Sequence, residues 1–421
     1  MSVMPDVAVC AQCGGELTRV GAGPVWCTAC EWNLAAYEPP PGARPSRARQ
    51  RSHRRGFQLN ATLLGQLRDA LPERPGWNAT RVALLAVSAS LLIVTVAIFG
   101  AGVYLIVSAA VGWKILGVLL ALFGLELRPR WPRLPRQAEP ARRADLPELY
   151  GLVDRLGAEL GAPPVSGIVL DDSLNAWAGR YGLRRRCVLG IGVPLWLSLG
   201  PDARTALLGH ELGHLVNGDP GQALLTQPAL TTFGRLAAIF DPRGMAYSPR
   251  GRNSIDVILS RFATYLLFTP LRWLCIRAHR AMWRLAAHDH RRAELYADAL
   301  AVRVAGTRGA AELMTANLLD DPIRTALRRS AAASRSPQDW HLAAQQALQQ
   351  PAQALRRREQ HSIRIEASSY GTHPPAGLRR RLVDSWPTTP AVSPVNHAEF
   401  ARIDAELDAR YQRLRDTLLK W

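Results

Sequence analysis

The longest apolar stretch of the chain runs from Val82 to Trp113 without a charged residue and resumes after Lys114 as far as Leu125. A membrane span needs about 20 apolar residues, so this stretch has room for two. Gly100 and Gly102 are the turn candidates, which predicts a transmembrane helical hairpin over 81–126, with Lys114 inside the second helix, facing its partner or snorkelling. A second apolar region, Val257 to Ile276, is interrupted by Arg261, Pro270 and Arg272. Its charge-free window is too short to span, so it predicts helices lying in the membrane interface or packed on the neighbouring domain, with two further spans as the alternative.

From about Leu146 the pattern becomes that of a globular domain. Ser166–Leu170 and Arg186–Val193 carry strand-like β-branched runs, while most of the chain beyond Val193 has helical spacing. Ala203–Val216 predicts a helix with Asp202 in its first turn and Gly218 and Pro220 as its stop. Arg291–Ala305 predicts another, stopped at Gly306, and His397–Trp421 a charged, amphipathic surface helix. The fold class is therefore α+β and mainly helical, with a domain over 127–421. Ahead of the hairpin, residues 38–80 turn to Pro and Arg, with Arg47, Arg49, Arg51, Arg54 and Arg55 in close succession, and read as a linker followed by a short amphipathic stretch from Phe57 to Leu71.

Composition sharpens this outline. The chain has 421 residues, 48% hydrophobic and 20% charged, which excludes a disordered chain. Its formal charge is +18, yet Lys114 and Lys420 are the only lysines. An arginine excess of that kind fits a GC-rich coding sequence as well as it fits a nucleic-acid surface, and no aromatic residues interleave the basic run as a base-stacking site requires. Nucleic acid is accordingly not an expected partner. The arginines instead flank the apolar stretch: the linker block before it, and Arg128, Arg130, Arg133, Arg136, Arg142 and Arg143 after it. Positive residues stay on the cytoplasmic side, which predicts a multi-pass protein of the cell membrane with both flanks, and the domain beyond, in the cytosol. Residues 1–10 lack a basic stretch followed by an apolar run, so no secretory signal is expected and the N-terminal cysteines would be reduced.

Four of the six cysteines form two Cys-x-x-Cys pairs, Cys10 with Cys13 and Cys27 with Cys30. Two thiolate pairs on tight turns close a tetrahedral site with no open position, so residues 1–37 predict a structural zinc ribbon. Such ribbons dock proteins as often as nucleic acid, and the expected partner is an unknown protein.

The strongest chemical signal is His210-Glu211-Leu212-Gly213-His214. Histidines four apart on a helix project from one face and can bind one ion, while Glu211, rotated by one residue, reaches a water on that ion. A third ligand is needed, and Glu294 with Asp298 one turn on offers a carboxylate ligand and an orienter for a histidine's free N–H. These motifs, followed by Thr372-His373-Pro374-Pro375, resemble the HtpX and CAAX-prenyl-protease type of membrane zinc metallopeptidase, of the gluzincin class. Asn175-Ala176-Trp177-Ala178 and Asn217-Gly218-Asp219 resemble further elements of that family, and the resemblance covers roughly residues 146–385; the ribbon lies outside it.

The resemblance implies a zincin-type domain in which His210, His214 and Glu294 hold a catalytic zinc and Glu211 is the general base. It implies that Asp298 orients His210, that His373 and Arg379 stabilise the oxyanion, and that Asn175 holds substrate backbone near an edge strand. Arg380 and Arg381 leave the choice of Arg379 to register alone. Two zinc ions are expected, one catalytic and one structural. The implied substrates are polypeptides, membrane proteins or unfolded chains in quality control, and the lipid bilayer is a partner. The alternative is a membrane-tethered docking or regulatory protein acting through its ribbon; its mark would be a broken catalytic motif, and the motif is intact.

Overall fold

The computed structural model describes residues 9–40, 42–43, 46–129, 133–135, 138–182, 184–245, 255–333, 336–394 and 396–421, with side chains described at all of these except 219–225, 244–245 and 255–261. Arg130 and Arg136 of the basic flank lie outside the described residues. The chain divides into two compact units. One comprises Met1–Pro75, Arg133–Pro220 and His290–Trp421, the other Gly76–Pro132 and Gly221–Asp289.

The first unit begins with a two-stranded antiparallel ribbon, β1 (Leu17–Thr18) with β2 (Trp26–Cys27). Next comes helix α1 (Arg47–Leu67), capped by the Ser46 side chain, which accepts from the Arg49 amide. The arginine run expected as linker is thus helical from Arg47 onward. The reason is visible on its inner face, where His53, Gly56, Asn60 and Leu63 are buried while the arginines point out.

Helix α4 (Pro147–Leu160) buries Leu149, Leu152, Val153, Leu156 and Leu160 along one stripe and ends on Gly161 in the left-handed region, where a residue without Cβ is favoured. Behind it stand three strands, β3 (Val165–Asp171), β4 (Ala176–Tyr181) and β5 (Arg186–Gly192), in the order β3-β5-β4. The β5 strand pairs parallel with β3 and antiparallel with β4; all its residues but Arg186 are buried, as a central strand requires. The β4 strand forms a sheet edge.

After the short helix α5 (Val193–Ser198) comes α6 (Pro201–Asn217), with Pro201 in its first turn and Gly218, at φ 81°, as its C-cap. Thirteen of its residues are buried, so it is a helix of the core and not of the surface. The C-terminal helix α14 (His397–Leu418) is amphipathic, as its pattern predicted, with most of its polar positions exposed. It sinks Phe400, Ile403, Leu407, Tyr411, Leu414 and Leu418 into that core, and its Asp404 receives the buried Arg204 of α6 at 2.9 Å.

The second unit contains α2 (Ala79–Ser108) and α3 (Val111–Leu127), packed along their length as a hairpin. Its turn lies at Ala109 and Ala110, beyond the glycines expected to make it. Gly102 serves the packing instead: a β-carbon there would lie 2.5 Å from the Ala121 amide nitrogen, and one on Gly117 2.7 Å from the Gly102 carbonyl. Small residues that let helix backbones approach are the usual means of association in lipid. Lys114 is exposed in the first turn of α3. Among the described residues α2 is the one helix long and apolar enough to cross a membrane by length and composition, and much of the hairpin's surface is apolar: Ile93, Val96, Val107, Ile115 and Leu119 are exposed. The region 257–276 belongs to the helical run Ile255–Leu318 and exposes Phe262, Leu266, Leu267, Trp273 and Leu274.

Candidate active site

The site is built where α6 meets the part of the Ile255–Leu318 run that lies in the first unit. Two glycines of α6, four apart, permit the meeting. A β-carbon on Gly213 would stand 3.0 Å from the Cα of Ala297, and one on Gly209 3.2 Å from the Cα of Ala301. Ala297 and Ala301 are fully buried. With small residues on both sides, the histidines of one helix come within reach of the carboxylates of the other.

His210 and His214 share a face, with ring centroids 4.9 Å apart and planes at 86°. Glu294 lies opposite, its Oε2 3.8 Å from His210 Nε2 and its Oε1 3.6 Å from His214 Nε2. Donors held about 2.0–2.1 Å from a tetrahedral ion stand roughly 3.4 Å apart, so the three groups have the spacing a shared metal needs. Ligand atoms from all three lie within 4.8 Å of one another. The Oε2 atom of Glu294 is buried and accepts no hydrogen bond, standing 3.8 Å from His210 Nε2 and 3.6 Å from Arg379 Nη1. The donor set therefore fits a metal ion such as zinc.

Asp298, wholly buried, receives His210 Nδ1 at 2.9 Å. That bond places the ring proton on Nδ1 and turns Nε2 toward Glu294. Arg379 in turn grips Asp298. Its Nη2 also stands 3.4 Å from both ring nitrogens of His210, an equidistance that marks contact with the ring as a whole and not one directed bond. Of the three consecutive arginines, Arg379 is the one that enters the cluster. Arg380 turns to Thr315, Glu359 and Asp384, and Arg381 to Glu31 and Glu359.

The electrostatics reflect this packing. Burial would raise the Glu294 carboxyl, but the His373 hydrogen bond and the charges of Arg379, His214 and His210 together hold it well below the usual carboxylate range. Asp298 is likewise pushed up by burial and pulled lower by Arg379, then by His210. Both carboxylates are thus held in their charged form at neutral pH.

His373 arrives from the turn before helix α13 (Ala376–Ser385). Its Nδ1 lies 2.8 Å from Glu294 Oε1 while most of the ring faces solvent, and this hydrogen bond raises its pKa. Glu211 is buried beside the cluster on α6, close enough for its charge to act on Arg379. Asn175 immediately precedes the edge strand β4; its carbonyl accepts from Gly192, and β4 runs beside α6.

Two features were not read from the sequence. The glycine pair Gly209 and Gly213 carried a spacing signal, since four apart they mark one face of α6. Arg291 is 2% exposed and donates to the Ser368 carbonyl, securing the segment that leads to His373. Its position, three residues before Glu294 on the same helix, was the available clue.

A second group of ligands lies in the ribbon. Cys10, Cys13, Cys27 and Cys30 bring their sulfurs within 4.8 Å of one another, Cys10 Sγ standing 3.6 Å from Cys30 Sγ and Cys13 Sγ 3.5 Å from Cys27 Sγ. These are the spacings of thiolates around one tetrahedral ion.

Comparison with known proteins places these residues in a family. The profile described as peptidase family M48 matches residues 145–386. A protein named "Protease HtpX homolog" from Bordetella petrii is 29% identical over 157 residues, covering 35% of this chain and 51% of that protein. One of the same name from Syntrophobacter fumaroxidans is 34% identical over 85 residues, covering 20% of this chain and 29% of the relative. The chain thus spans about half the length, or less, of the curated relatives it matches. No solved structure matches it.

Proposed function

We propose, from the premise that this chain belongs to peptidase family M48, that it is a membrane-bound zinc metalloendopeptidase. The observation that carries the proposal is the convergence of His210, His214 and Glu294, whose ligand atoms lie within 4.8 Å of one another, with Glu211 buried alongside. His210, His214 and Glu294 would hold a zinc ion, which would supply Lewis-acid polarisation of the scissile carbonyl and make the attacking water more acidic. Glu211 accepts the proton of that water and delivers it to the departing amine nitrogen. No side chain forms a covalent link to the substrate.

The surrounding residues orient and bind. Asp298 fixes the His210 tautomer. The grip of Arg379 on Asp298 supports a positioning role for that arginine in place of the oxyanion contact implied by resemblance. His373, solvent-facing on one side and close to Glu294 on the other, is the donor proposed for the oxyanion. An extended polypeptide would add to the free edge of β4, with Asn175 holding its backbone. The apolar hairpin and the arginines on both of its flanks support a multi-pass protein of the cell membrane with this site in the cytosol, acting on membrane proteins or unfolded chains. Cysteines introduced near residue 140 should then be labelled only in opened cells.

The test of the proposal is metal-dependent hydrolysis. The purified chain should cut an unfolded membrane-protein substrate, lose that activity to a zinc chelator and regain it with zinc. Cleavage that persists after the metal is removed would refute it.

A further inference from the structure

The ribbon makes an extensive polar contact with its own chain. Helix α12 (Ala352–Ile365) receives it. Trp26, fully buried, donates through Nε1 to Gln360 Oε1 at 2.9 Å and stacks on His361. Arg364, also fully buried, lies 4.4 Å over the Trp26 ring and donates to the carbonyls of Pro24 at 2.6 Å, Asn33 at 2.8 Å and Leu34 at 3.3 Å. A buried guanidinium is costly unless its donors are satisfied. Here the ribbon backbone satisfies them, so ribbon and α12 form one packed body.

The second knuckle reaches further, to the helix that carries Arg379. Glu31 follows Cys30 and adopts φ 60°, a backbone conformation uncommon for a residue of its size. It is held there by its amide bond to the Cys27 carbonyl and by Gln360, which donates to its carboxylate at 3.1 Å. From that position Glu31 Oε1 receives Arg381 Nη2 of α13 at 2.5 Å, while Arg381 Nε donates to Glu359 of α12. The α13 helix is pressed onto α12 as well: a β-carbon on Gly377 would stand 2.1 Å from the Glu359 carbonyl.

Arg381 and Arg379 are two residues apart, hence about 200° apart around α13. One face of that helix is held by the ribbon and the other holds Asp298. We propose that the ribbon is an intramolecular positioning module, in which Glu31, Arg381 and Glu359 fix α13 so that Arg379 stays on Asp298. Glu31, Arg381 and Glu359 are positioning residues for the metal site, acting through α13. A metal held by Cys10, Cys13, Cys27 and Cys30 would close the knuckle and so help keep Glu31 at φ 60°. The inference rests on the peptidase reading for its kinetic consequence but not for its structural one.

The test uses the full chain with Glu31→Ala, Arg381→Ala and the double variant, and tracks amide hydrogen exchange over 376–385 together with hydrolysis of an unfolded protein. Each single variant should exchange faster over 376–385 and lose about 10-fold in kcat, the lower end of what positioning partners of a metal site cost, with KM and the count of two zinc ions retained. The double variant should be no worse than either single, because both cut the same link. Arg381→Lys should recover part of the loss. Arg357→Ala, which removes a contact with Glu16 beyond the first knuckle and leaves Glu31 untouched, should change neither readout. Exchange over 376–385 unchanged from wild type would overturn the proposal, and so would faster exchange with undiminished kcat. Absence of hydrolysis in the wild-type chain would count against the peptidase reading alone, and the exchange result would then decide the positioning role.

Discussion

Arg379 holds Asp298 with both arms of its guanidinium, Nη2 to Oδ1 at 2.6 Å and Nε to Oδ2 at 2.8 Å. The pair is buried on both sides, and Asp298 passes the constraint on to His210. Partners of this kind fix the tautomer and direction of a metal-binding imidazole. Asp298→Asn removes the charge and lets the amide present a donor where an acceptor is needed. The catalytic zinc should bind about 10–100-fold more weakly, measured by competition with a chromophoric chelator. Unchanged affinity would show that His210 needs no orienter.

The glycine seam of α6 yields a second expectation. At Gly213 the obstacle is the backbone of Ala297, which cannot swing aside. Gly213→Val gains a few tenths of a kcal/mol of helix propensity but overpacks the seam, at a cost of about 1–3 kcal/mol. The thermal midpoint should therefore fall and zinc affinity with it. A variant as stable as the wild type, with full zinc, would mean that the two helices can part without consequence.

The helices bearing the chemistry were legible because their signals are local. The spacing of His210 and His214, the stop at Gly218 and the break at Gly306 each depend on a few neighbouring residues. The strand β4 was not read, since Ala176–Tyr181 is short, has a glycine in it and lacks a β-branched run; its pairing with β5 makes it a strand. The hairpin turn was misplaced because a glycine in an apolar run has two uses, and sequence alone does not separate a turn from a close helix crossing. The ribbon's attachment to α12 depends on pairs such as Trp26 and Gln360, more than three hundred residues apart, and no spacing rule reaches that far.

Two ligand groups predict two zinc ions per chain. Cys13→Ser, which opens the ribbon site and leaves the other untouched, should lower the count by one in elemental analysis. Substitution is the better probe than truncation, because removing residues up to 37 would strip Arg364 of its three carbonyl partners. A count that stays the same would remove the ribbon metal from the account.

His53, a member of neither candidate ligand cluster, supplies a pH dependence of its own. Burial lowers its pKa below the ordinary 6.5, and its Nε2–H donates to the Arg364 carbonyl at 2.8 Å. Below pH 6.5 the unfolded chain takes up a proton there that the folded chain resists, so the folded state loses stability as pH falls through and below that value. His53→Gln retains an N–H donor without the titration. Comparing denaturation midpoints at pH 7.5 and 5.5, the wild type should lose more than the variant. Equal losses would place the His53 pKa at its ordinary value.

In the proposed mechanism Glu211 moves the proton while Glu294 holds the metal, and one paired measurement separates the two roles. Zinc content and peptide hydrolysis are determined together for Glu211→Gln and Glu294→Ala. Glu211→Gln should keep both zinc ions and lose at least about 10²-fold in kcat, the lower bound for a general base, whereas Glu294→Ala should lose the catalytic zinc and activity together. A Glu211→Gln chain that still cuts at the wild-type rate would contradict that mechanism.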